Sequence, residues 1–267
     1  MNSDPRKLFD STSLALHRAR ATESGLFLHD LSCDLISERL EEVNRSFTKA
    51  AIISWQAPRW ARSLGLEADQ FTASETLELT PESQYDLIIH GLELHWSEDP
   101  VGQLIQMRRA LKPDGLMIAA MFGSGTLTNF RDALTRAEVS ATGGLSPRMA
   151  PLADLRDLGG LLQRAGYALP VADNFFQKVE YSSLWSLLHD LRAMGETNAL
   201  ADRIKVFSKS AIFRELENSL FSNGPRLFEY EIVFLTGWGP SANQQKPLKP
   251  GSATHSLAEV LTQFSKG

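Results

Sequence analysis

The stretch from Tyr85 to Gly123 constrains the fold more than any other part of this chain. It contains a buried strand over Tyr85–Leu92, a helix over Pro100–Leu111 and a second strand over Leu116–Phe122. Two apolar strands joined by an amphipathic helix are typical of a right-handed βαβ crossover, in which the strands run parallel. The pattern therefore predicts an α/β fold on a mostly parallel sheet.

Further elements are predicted on both sides of this unit from apolar periodicity and from turn residues. They are a short helix over 6–21, a helix from Leu26 to about Phe47, a strand over Ala50–Trp55, a helix over Pro58–Leu64, a weak strand around Glu75–Leu79, a turn over Lys112–Gly115, helices over 126–139, Asp154–Ala165, Leu184–Met194 and Ile204–Leu220, and strands over Val171–Tyr181 and Arg226–Trp238. We expect three parts: an N-terminal helical segment (1–48), an α/β domain with helical insertions (49–240) and an extended C-terminal tail (241–267).

Composition excludes several classes of protein. The 267 residues carry a net charge of −5, with lysine and arginine scattered among acids, which argues against a nucleic-acid-binding surface. Cys33 is the only cysteine, so intrachain disulfides and a cysteine metal cluster are excluded, and we expect a buried small residue within a helix. No apolar run approaches the roughly 18 to 20 residues that span a bilayer. No spacing of His, Asp or Glu indicates a metal site.

Several motifs together resemble the class I S-adenosylmethionine-dependent methyltransferase superfamily. They are YDLIIHGLELHW, RRALKPDGLMIAAMFG, GGLSPRMAPLADLRDLGGLLQRAG, LHDLRAMGETN, YEIVFLTGW and PGSATHSL. The resemblance is loose over residues 8–64 and close over 85–257. GGLSPRMAP and GSAT are similar to the group that contains the mitochondrial complex I assembly factor known as an arginine hydroxylase, with the malonyl carrier-protein methyltransferases as more distant relatives. The resemblance implies a Rossmann-like fold and S-adenosylmethionine as cofactor.

The family's glycine-rich turn aligns without a gap, but its residues are replaced here. The acidic position and the three glycine positions are Ile52, Ser54, Gln56 and Pro58. Glycine at such a turn lets the backbone approach the cofactor closely. A Gln56 side chain would occupy that space, and Pro58 removes an N–H donor. We therefore predict a degenerate site with no affinity, or weak affinity, for S-adenosylmethionine.

The number of residues between the Pro58–Leu64 helix and the Tyr85–Leu92 strand leads to the same expectation. Only twenty residues separate Leu64 from Tyr85. A crossover takes at least ~10 to 12 residues and each strand adds ~5, so a strand, a helix and a further strand do not fit. We expect one strand–helix pair to be missing. In the family, the carboxylate that holds the cofactor ribose lies at the end of that second strand, so its place is expected to be lost.

Glu93, His95 and Trp96 follow the Tyr85–Leu92 strand, at the sheet edge where α/β proteins bind ligands. We treat all three as candidate cofactor-binding residues, with His95 as a possible base and Trp96 as a pocket wall. The alternative is that Trp96 packs under the next helix and His95 is a hydrogen-bonded structural residue. We favour this structural interpretation.

Substrate or partner binding is assigned to Arg131 and to the loop that contains Gly144, Ser146 and Arg148. Arg148 could offer its planar fork to a carboxylate, although the related assembly factor tends to have histidine there, and a tight loop explains these residues equally well. Arg131 and Glu138 lie seven residues apart and share a helix face, for which we favour a solvated surface. His189 and Asp190 are expected to be structural.

Three functions remain open. The favoured one is a noncatalytic binding or assembly factor on a methyltransferase scaffold, with a protein partner such as a respiratory-complex subunit or an active homologue. The second is an active methyltransferase or protein-arginine-modifying enzyme with an unusual cofactor pose, although no iron-binding triad is apparent. The third is a small-molecule-binding module that uses the vacated pocket. The expected compartment is the bacterial cytoplasm or, in a eukaryote, the mitochondrial matrix.

Overall fold

A six-stranded sheet forms the centre of the molecule, with strand order β2-β1-β3-β4-β6-β5. The computed structural model describes residues 7–43, 45–74, 76–79, 84–242 and 244. Strands β1 to β4 run parallel, and β6 runs antiparallel to both β4 and β5. The strands are β1 (Ala50–Ile53), β2 (Ala68–Phe71), β3 (Tyr85–Gly91), β4 (Leu111–Phe122), β5 (Ala168–Tyr181) and β6 (Arg226–Trp238). This arrangement confirms the α/β, Rossmann-like fold.

Eight α-helices are assigned within the described ranges. They are α1 (Ser11–Arg18), α2 (Phe27–Glu42), α3 (Ala57–Leu64), α4 (Pro100–Ala110), α5 (Thr128–Thr142), α6 (Leu155–Ala165), α7 (Leu184–Ala193) and α8 (Ser210–Phe221). Alternate residues of a strand face opposite sides of the sheet. Ile52 and Ile89 therefore join a core layer with α2, α3, α5 and α8, whereas Ile53 and Ile88 join a second layer with α4 and α6. Burial on both faces explains the almost continuous apolar character of the central strands.

The short segment between α3 and β3 confirms the expected loss of a strand–helix pair. The only strand in its described residues is β2, which pairs in parallel with β1, and none of those residues is helical. The expectation that the end of the second strand is lost was therefore wrong, because β2 ends at Phe71 beside Ser54. The strand expected around Glu75–Leu79 was wrong in position: Glu75 lies outside the described residues, and residues 76–79 form no strand. The sequence of β2 is Ala-Asp-Gln-Phe at the half-exposed sheet edge, so it carries no apolar signal.

Several predicted boundaries were also wrong. Helix α8 begins at Ser210 rather than Ile204, and residues 204–207 are exposed, so their apolar side chains are not buried by a helix face. Helix α2 ends at Glu42 rather than near Phe47, and α1 covers only part of 6–21. The expected turn over Lys112–Gly115 belongs to β4, where the register against β3 shifts. The GSAT motif lies outside the described residues.

No helix of the described ranges is both long and apolar enough to cross a membrane. Cys33 is buried in α2, as expected, and desolvation raises the pKa of its thiol to about 12. The thiol is therefore inert at neutral pH, because the thiolate is the reactive form.

Candidate functional site

The turn after β1 is built without glycine. Ser54 donates its Oγ–H to the Gly91 carbonyl over 2.8 Å, and its N–H to the Phe71 carbonyl over 2.9 Å, so one residue joins three strand ends. None of residues 54 to 58 has a positive φ. Gln56 directly precedes α3, and Pro58 lies in the first turn of that helix, where a missing N–H donor costs little. Ile52 is fully buried within β1.

The side chain of Trp60 in α3 packs against β3 behind the turn. Its indole packs so closely on β3 that a Cβ added to Gly91 would lie 2.5 Å from the ring. The Trp60 Nε1–H donates to Nδ1 of His29 over 2.8 Å, which ties α3 to α2. Burial lowers the pKa of His29 to about 4, so the ring is neutral and able to accept this hydrogen bond. Side chains of the protein therefore fill the space behind the turn.

Glu93 stands at the carboxyl end of β3, where its carboxylate is buried. The residue before it, Leu92, has a φ of 51°, a left-handed conformation that non-glycine residues rarely adopt. The Glu93 carboxylate forms an ion pair with Arg18 of α1 and accepts the N–H groups of Ala73 over 3.2 Å and of Trp55. Burial raises the pKa of Glu93, while the Arg18 charge opposes this shift.

Through its ion pair with Glu93, Arg18 holds helix α1 against the edge of the sheet. Its guanidinium carbon lies 5.5 Å from the Trp55 ring centroid. The chain before α1 is fixed as well, because Glu98 accepts the Phe9 N–H over 2.7 Å and Phe9 pairs with Leu200. A cavity of about 130 Å³, lined by Arg18 and Glu93 among others, remains between these elements.

A larger cavity of about 300 Å³ lies beyond Trp96, between the sheet edge and the helices α5, α7 and α8. Its walls are mainly apolar. The polar groups cluster at one end, where Glu196 Oε2 accepts the Trp96 Nε1–H over 2.8 Å and lies 3.3 Å from His95 Nε2. Burial opposes ionisation of Glu196, but the hydrogen bonds from His95 and Trp96 and the Arg18 charge hold its pKa below the usual range. The cavity therefore contains a carboxylate that is only 12% exposed.

The opposite wall of the same cavity carries a phenol. Tyr230 of β6 lines it, and its hydroxyl lies 2.9 Å from the Tyr181 hydroxyl. Tyr181 in turn donates to Asp190 of α7. Asp190 thus has the structural contact expected for it. Desolvation raises the pKa of both Tyr181 and Tyr230, so both phenols are neutral hydrogen-bonding groups.

Arg148 reaches this cavity from the loop after α5, but its guanidinium is already engaged. Its Nε donates to Glu138 over 2.7 Å and its Nη1 to Ser208 over 2.8 Å. The Ser146 N–H also donates to Glu138, over 3.2 Å. The expectation of a solvated face was wrong for Glu138, which is only 3% exposed, because the loop folds back over it. Gly144 is exposed, and an added Cβ there would meet open space.

Arg131 takes a different position from Arg148. It is partly buried and donates to the Ser124 and Thr126 carbonyls, each over 3.4 Å, so it supports the loop that precedes α5. It also lines a shallow depression of about 330 Å³ together with Glu138 and Arg148. The depression adjoins the larger cavity, because Leu134 of α5 and several residues of the following loop, Arg148 among them, border both.

The structure brings together only some of the residues that the sequence singled out. His95, Trp96 and Arg148 line the larger cavity, whereas Glu93 faces the smaller one. Ile52, Ser54, Gln56 and Pro58 line neither of these two cavities. Sequence reasoning missed Glu196, although it lies within the quoted LHDLRAMGETN motif. It also missed Arg18, whose partner is 75 residues away.

A search of residues 7–43, 45–74, 76–79, 84–242 and 244 finds no group of three or more His, Cys, Asp or Glu side chains placed to hold a metal ion. His95 and Glu196 form a pair without a third such neighbour in that part of the chain. The polar end of the cavity is therefore best described in terms of hydrogen bonds and charge.

Comparison with known proteins found relatives of this chain, although no family model matches it. It is 33% identical over 214 residues to the mitochondrial arginine-hydroxylase NDUFAF5 of Danio rerio, covering 78% of this chain and 66% of that protein. It is 30% identical over 170 residues to the malonyl-[acyl-carrier protein] O-methyltransferase of Gallionella capsiferriformans, covering 62% of this chain and 56% of that protein. The chain spans between 45% and 66% of the length of the first arginine-hydroxylase relatives.

Among solved structures, the YcgJ protein of Bacillus subtilis matches with a TM-score of 0.49 and 16% identity over 80% of this chain and all of that one. The sequence matches and the α/β sheet described above group the chain with the class I S-adenosylmethionine-dependent methyltransferase superfamily, and within it with sequences similar to the arginine-hydroxylase NDUFAF5.

Proposed function

We propose that this chain is a noncatalytic binding protein on a methyltransferase scaffold, whose cofactor position is occupied by its own side chains. The observation that carries the proposal is the environment of Glu93. Its carboxylate, at the edge where a ligand of this fold would lie, is saturated by Arg18 and by the backbone N–H groups of Ala73 and Trp55. A ligand would have to displace an internal ion pair, which costs several kcal/mol when a buried charge is left alone.

The size of the remaining space supports the same proposal. The cavity beside Arg18 and Glu93 has a volume of about 130 Å³. Pockets for ligands of the size of a nucleoside are typically ~300 Å³ or more. In addition, the turn after β1 has no glycine to allow a close backbone approach, and Thr72, Ala73 and Ser74, which directly follow β2, carry no carboxylate. The residues present therefore do not fit S-adenosylmethionine in its usual pose.

The biological role follows from the relatives and remains part of the proposal. The arginine-hydroxylase relatives carry NDUFAF5 names and are mitochondrial. By that resemblance, we propose a role in the assembly of a respiratory complex, with a protein subunit or an active homologue as partner. The matching compartment is the mitochondrial matrix, or the cytoplasm if the chain is bacterial.

Calorimetric titration tests the cofactor part of the proposal. Purified protein at tens of micromolar would be titrated with S-adenosylmethionine and S-adenosylhomocysteine up to millimolar ligand, with an active methyltransferase as positive control. We expect no saturable heat. Saturable one-to-one binding that is reduced by Glu93→Gln but not by the exposed-site control Glu229→Gln would overturn the proposal.

A second function is favoured by one specific observation, the partly buried carboxylate of Glu196 in the larger cavity. Both of its hydrogen bonds from His95 and Trp96 reach the same oxygen, Oε2. Aromatic rings and a buried carboxylate together suit a cationic group. The name of the relatives, arginine-hydroxylase, makes a protein arginine the corresponding substrate, to be modified by oxidation or by methyl transfer.

Peptide binding separates the two functions. A short arginine peptide and its citrulline analogue, which has the same shape but no charge, would be titrated while the fluorescence of the tryptophans is followed. Under the second function, the arginine peptide binds at least tenfold tighter, and Glu196→Gln removes the difference. Equal binding of both peptides, or binding of neither, would leave only the noncatalytic proposal.

A further inference from the structure

The larger cavity is an apolar space that the side chains of the protein do not fill. It has a volume of about 300 Å³. Its walls include apolar side chains that pack on the core but remain only partly buried, namely Leu134, Met149, Leu188, Leu191 and Phe213. Protein interiors are close-packed, and voids larger than a water molecule are few. An apolar cavity of this size is suited to an apolar molecule, since such cavities stay dry and bind apolar compounds.

The Glu196 carboxylate at the polar end of the larger cavity has one oxygen without a hydrogen-bond partner. Trp96 and His95 both lie within hydrogen-bond distance of Oε2, whereas Oε1 accepts no hydrogen bond from the residues that the structure describes. The side chain is 12% exposed and lines the cavity. A carboxylate that is largely removed from water is stabilised by hydrogen bonds to both of its oxygens. Oε1 is therefore available to a donor group of a ligand.

The arginines around the larger cavity have other carboxylates as partners. Arg18 forms its ion pair with Glu93. Arg148, which lines the cavity, forms its ion pair with Glu138. A positively charged ligand would therefore give Glu196 a direct charge partner, whereas an anionic ligand would be repelled by the same carboxylate.

Aromatic rings beside the carboxylate favour a cation as well. Trp96, Phe122 and Tyr230 all line the cavity. The Phe122 ring centroid lies 4.9 Å from that of His95 and 6.4 Å from that of Tyr230. The faces of such rings attract a cation, and the rings also pack against apolar groups. One end of the cavity thus offers charge and aromatic faces, and the remainder offers apolar surface.

We propose that the larger cavity binds a small organic amine in its ammonium form, with the nitrogen at Glu196 and an apolar body between α5, α7 and α8. This inference rests on the cation site of the second function and names a different ligand for it. An arginine side chain presents only a short methylene stem to the walls, whereas an alkyl or aryl amine covers them with its whole body. The inference is independent of the first function, because Glu93 faces the smaller cavity.

Calorimetric titration of the whole chain with three hexyl compounds tests this inference. Hexylamine, hexan-1-ol and hexanoate share one apolar body and carry a positive, a neutral and a negative head group at pH 7. We expect hexylamine to bind at least tenfold tighter than hexan-1-ol, and hexanoate to bind most weakly. Equal binding of hexylamine and hexan-1-ol, or no binding of hexylamine, would overturn the inference. Binding of a short arginine peptide without binding of hexylamine would also overturn it, but would leave the second function intact.

Two variants with matched controls assign the binding to the larger cavity. Glu196→Gln should reduce the affinity for hexylamine to that for hexan-1-ol, whereas Glu229→Gln, at an exposed position of β6, should change neither. Leu188→Trp should fill part of the cavity and weaken the binding of hexylamine and hexan-1-ol at least tenfold. His189→Trp places the same side chain at the exposed neighbouring position of α7 and should have no effect. Equal losses in a variant and its control would show that the compounds bind elsewhere, and the proposal would be wrong. Unchanged circular dichroism excludes unfolding as the cause.

Discussion

The indole N–H of Trp96 lies 2.8 Å from the carboxylate of Glu196, a residue one hundred positions further along the chain. This bond joins the turn after β3 to the segment after α7. It also fixes the polar end of the larger cavity, because His95 shares the same carboxylate oxygen. Trp96 therefore lines the larger cavity and is fixed by a hydrogen bond at the same time.

Replacing Trp96 by Phe should destabilise the protein by about 1 to 3 kcal/mol, because the buried Glu196 carboxylate loses a charge-assisted hydrogen bond. Urea unfolding at pH 7 measures the change in the free energy of unfolding. Trp185→Phe is the matched control, since Trp185 is exposed, and it should change stability by less than about 0.5 kcal/mol. Equal effects of the two variants would mean that the hydrogen bond contributes nothing.

The contact between Gly91 and Trp60 predicts a position that does not accept a methyl group. Gly91→Ala would place its Cβ 2.5 Å from the Trp60 ring, which is held on its other side by His29. Overpacking of this kind costs about 1 to 3 kcal/mol. Gly160→Ala in α6 is the control, because nothing lies within 4 Å of the added Cβ and alanine favours helix. Chemical denaturation should show a lower free energy of unfolding for Gly91→Ala and no decrease for Gly160→Ala.

The ion pair between Arg148 and Glu138 should show strong coupling. Arg148→Met leaves a buried carboxylate with only its Ser146 contacts, and we expect a loss of roughly 3 kcal/mol. Glu138→Gln/Arg148→Met should recover part of that loss, because the uncompensated charge is removed. A double-mutant cycle by urea unfolding gives the interaction energy. Additive losses would show that loop packing, and not the charge pair, holds the loop.

Two buried histidines predict the pH dependence of stability. Burial lowers the pKa of His29 and of His90 from 6.5 to about 4. Between these values the unfolded chain binds more protons, so stability should fall as the pH decreases from about 6.5 to 4, by up to ~1.4 kcal/mol per pH unit for each histidine. The raised pKa of Glu93 acts in the opposite direction, because a carboxyl that binds its proton more tightly when folded favours the folded state at low pH.

Comparing wild type with His90→Gln isolates one histidine from these opposing contributions. The variant should have a shallower dependence between pH 4.5 and 6.5, measured as the free energy of unfolding in urea. His189→Gln serves as the control, since His189 is exposed on α7. If the wild type and His90→Gln change in parallel, then His90 does not titrate on unfolding in this range.

The order of strands and helix in residues 85–123 could be predicted because it depends on residues that are close together in the sequence. Two apolar runs on either side of an amphipathic helix determine the strand–helix–strand order within forty residues, although Pro113 and Gly115 lie inside β4 and not in a turn. The count of residues before Tyr85 was enough to predict the missing strand–helix pair. The strand β2 was misplaced because a short edge strand needs no apolar face. The start of α8 was misplaced because Ile204, Val206 and Phe207 have helix-compatible apolar spacing but remain exposed.

The candidate site could be predicted only in part, for a physical reason. His95 and Trp96 follow a strand, so their place at the sheet edge could be inferred from sequence. Two further residues complete the site: Arg18 lies 75 residues before its partner Glu93, and Glu196 lies 101 residues after His95. A single sequence contains no signal for contacts across such separations. Arg148 was located in the correct loop, but its engagement by Glu138 depends on how that loop folds back.

The pairing of Phe9 with Leu200 has a consequence for biosynthesis. Helix α1 can reach its final position only after about 190 further residues have been made. At typical elongation rates of ~5 to 20 residues per second, α1 waits roughly 10 to 40 s before Asp10 can bond to Ala199. That interval is when a chaperone, or a partner protein, has access to a surface that the finished molecule covers.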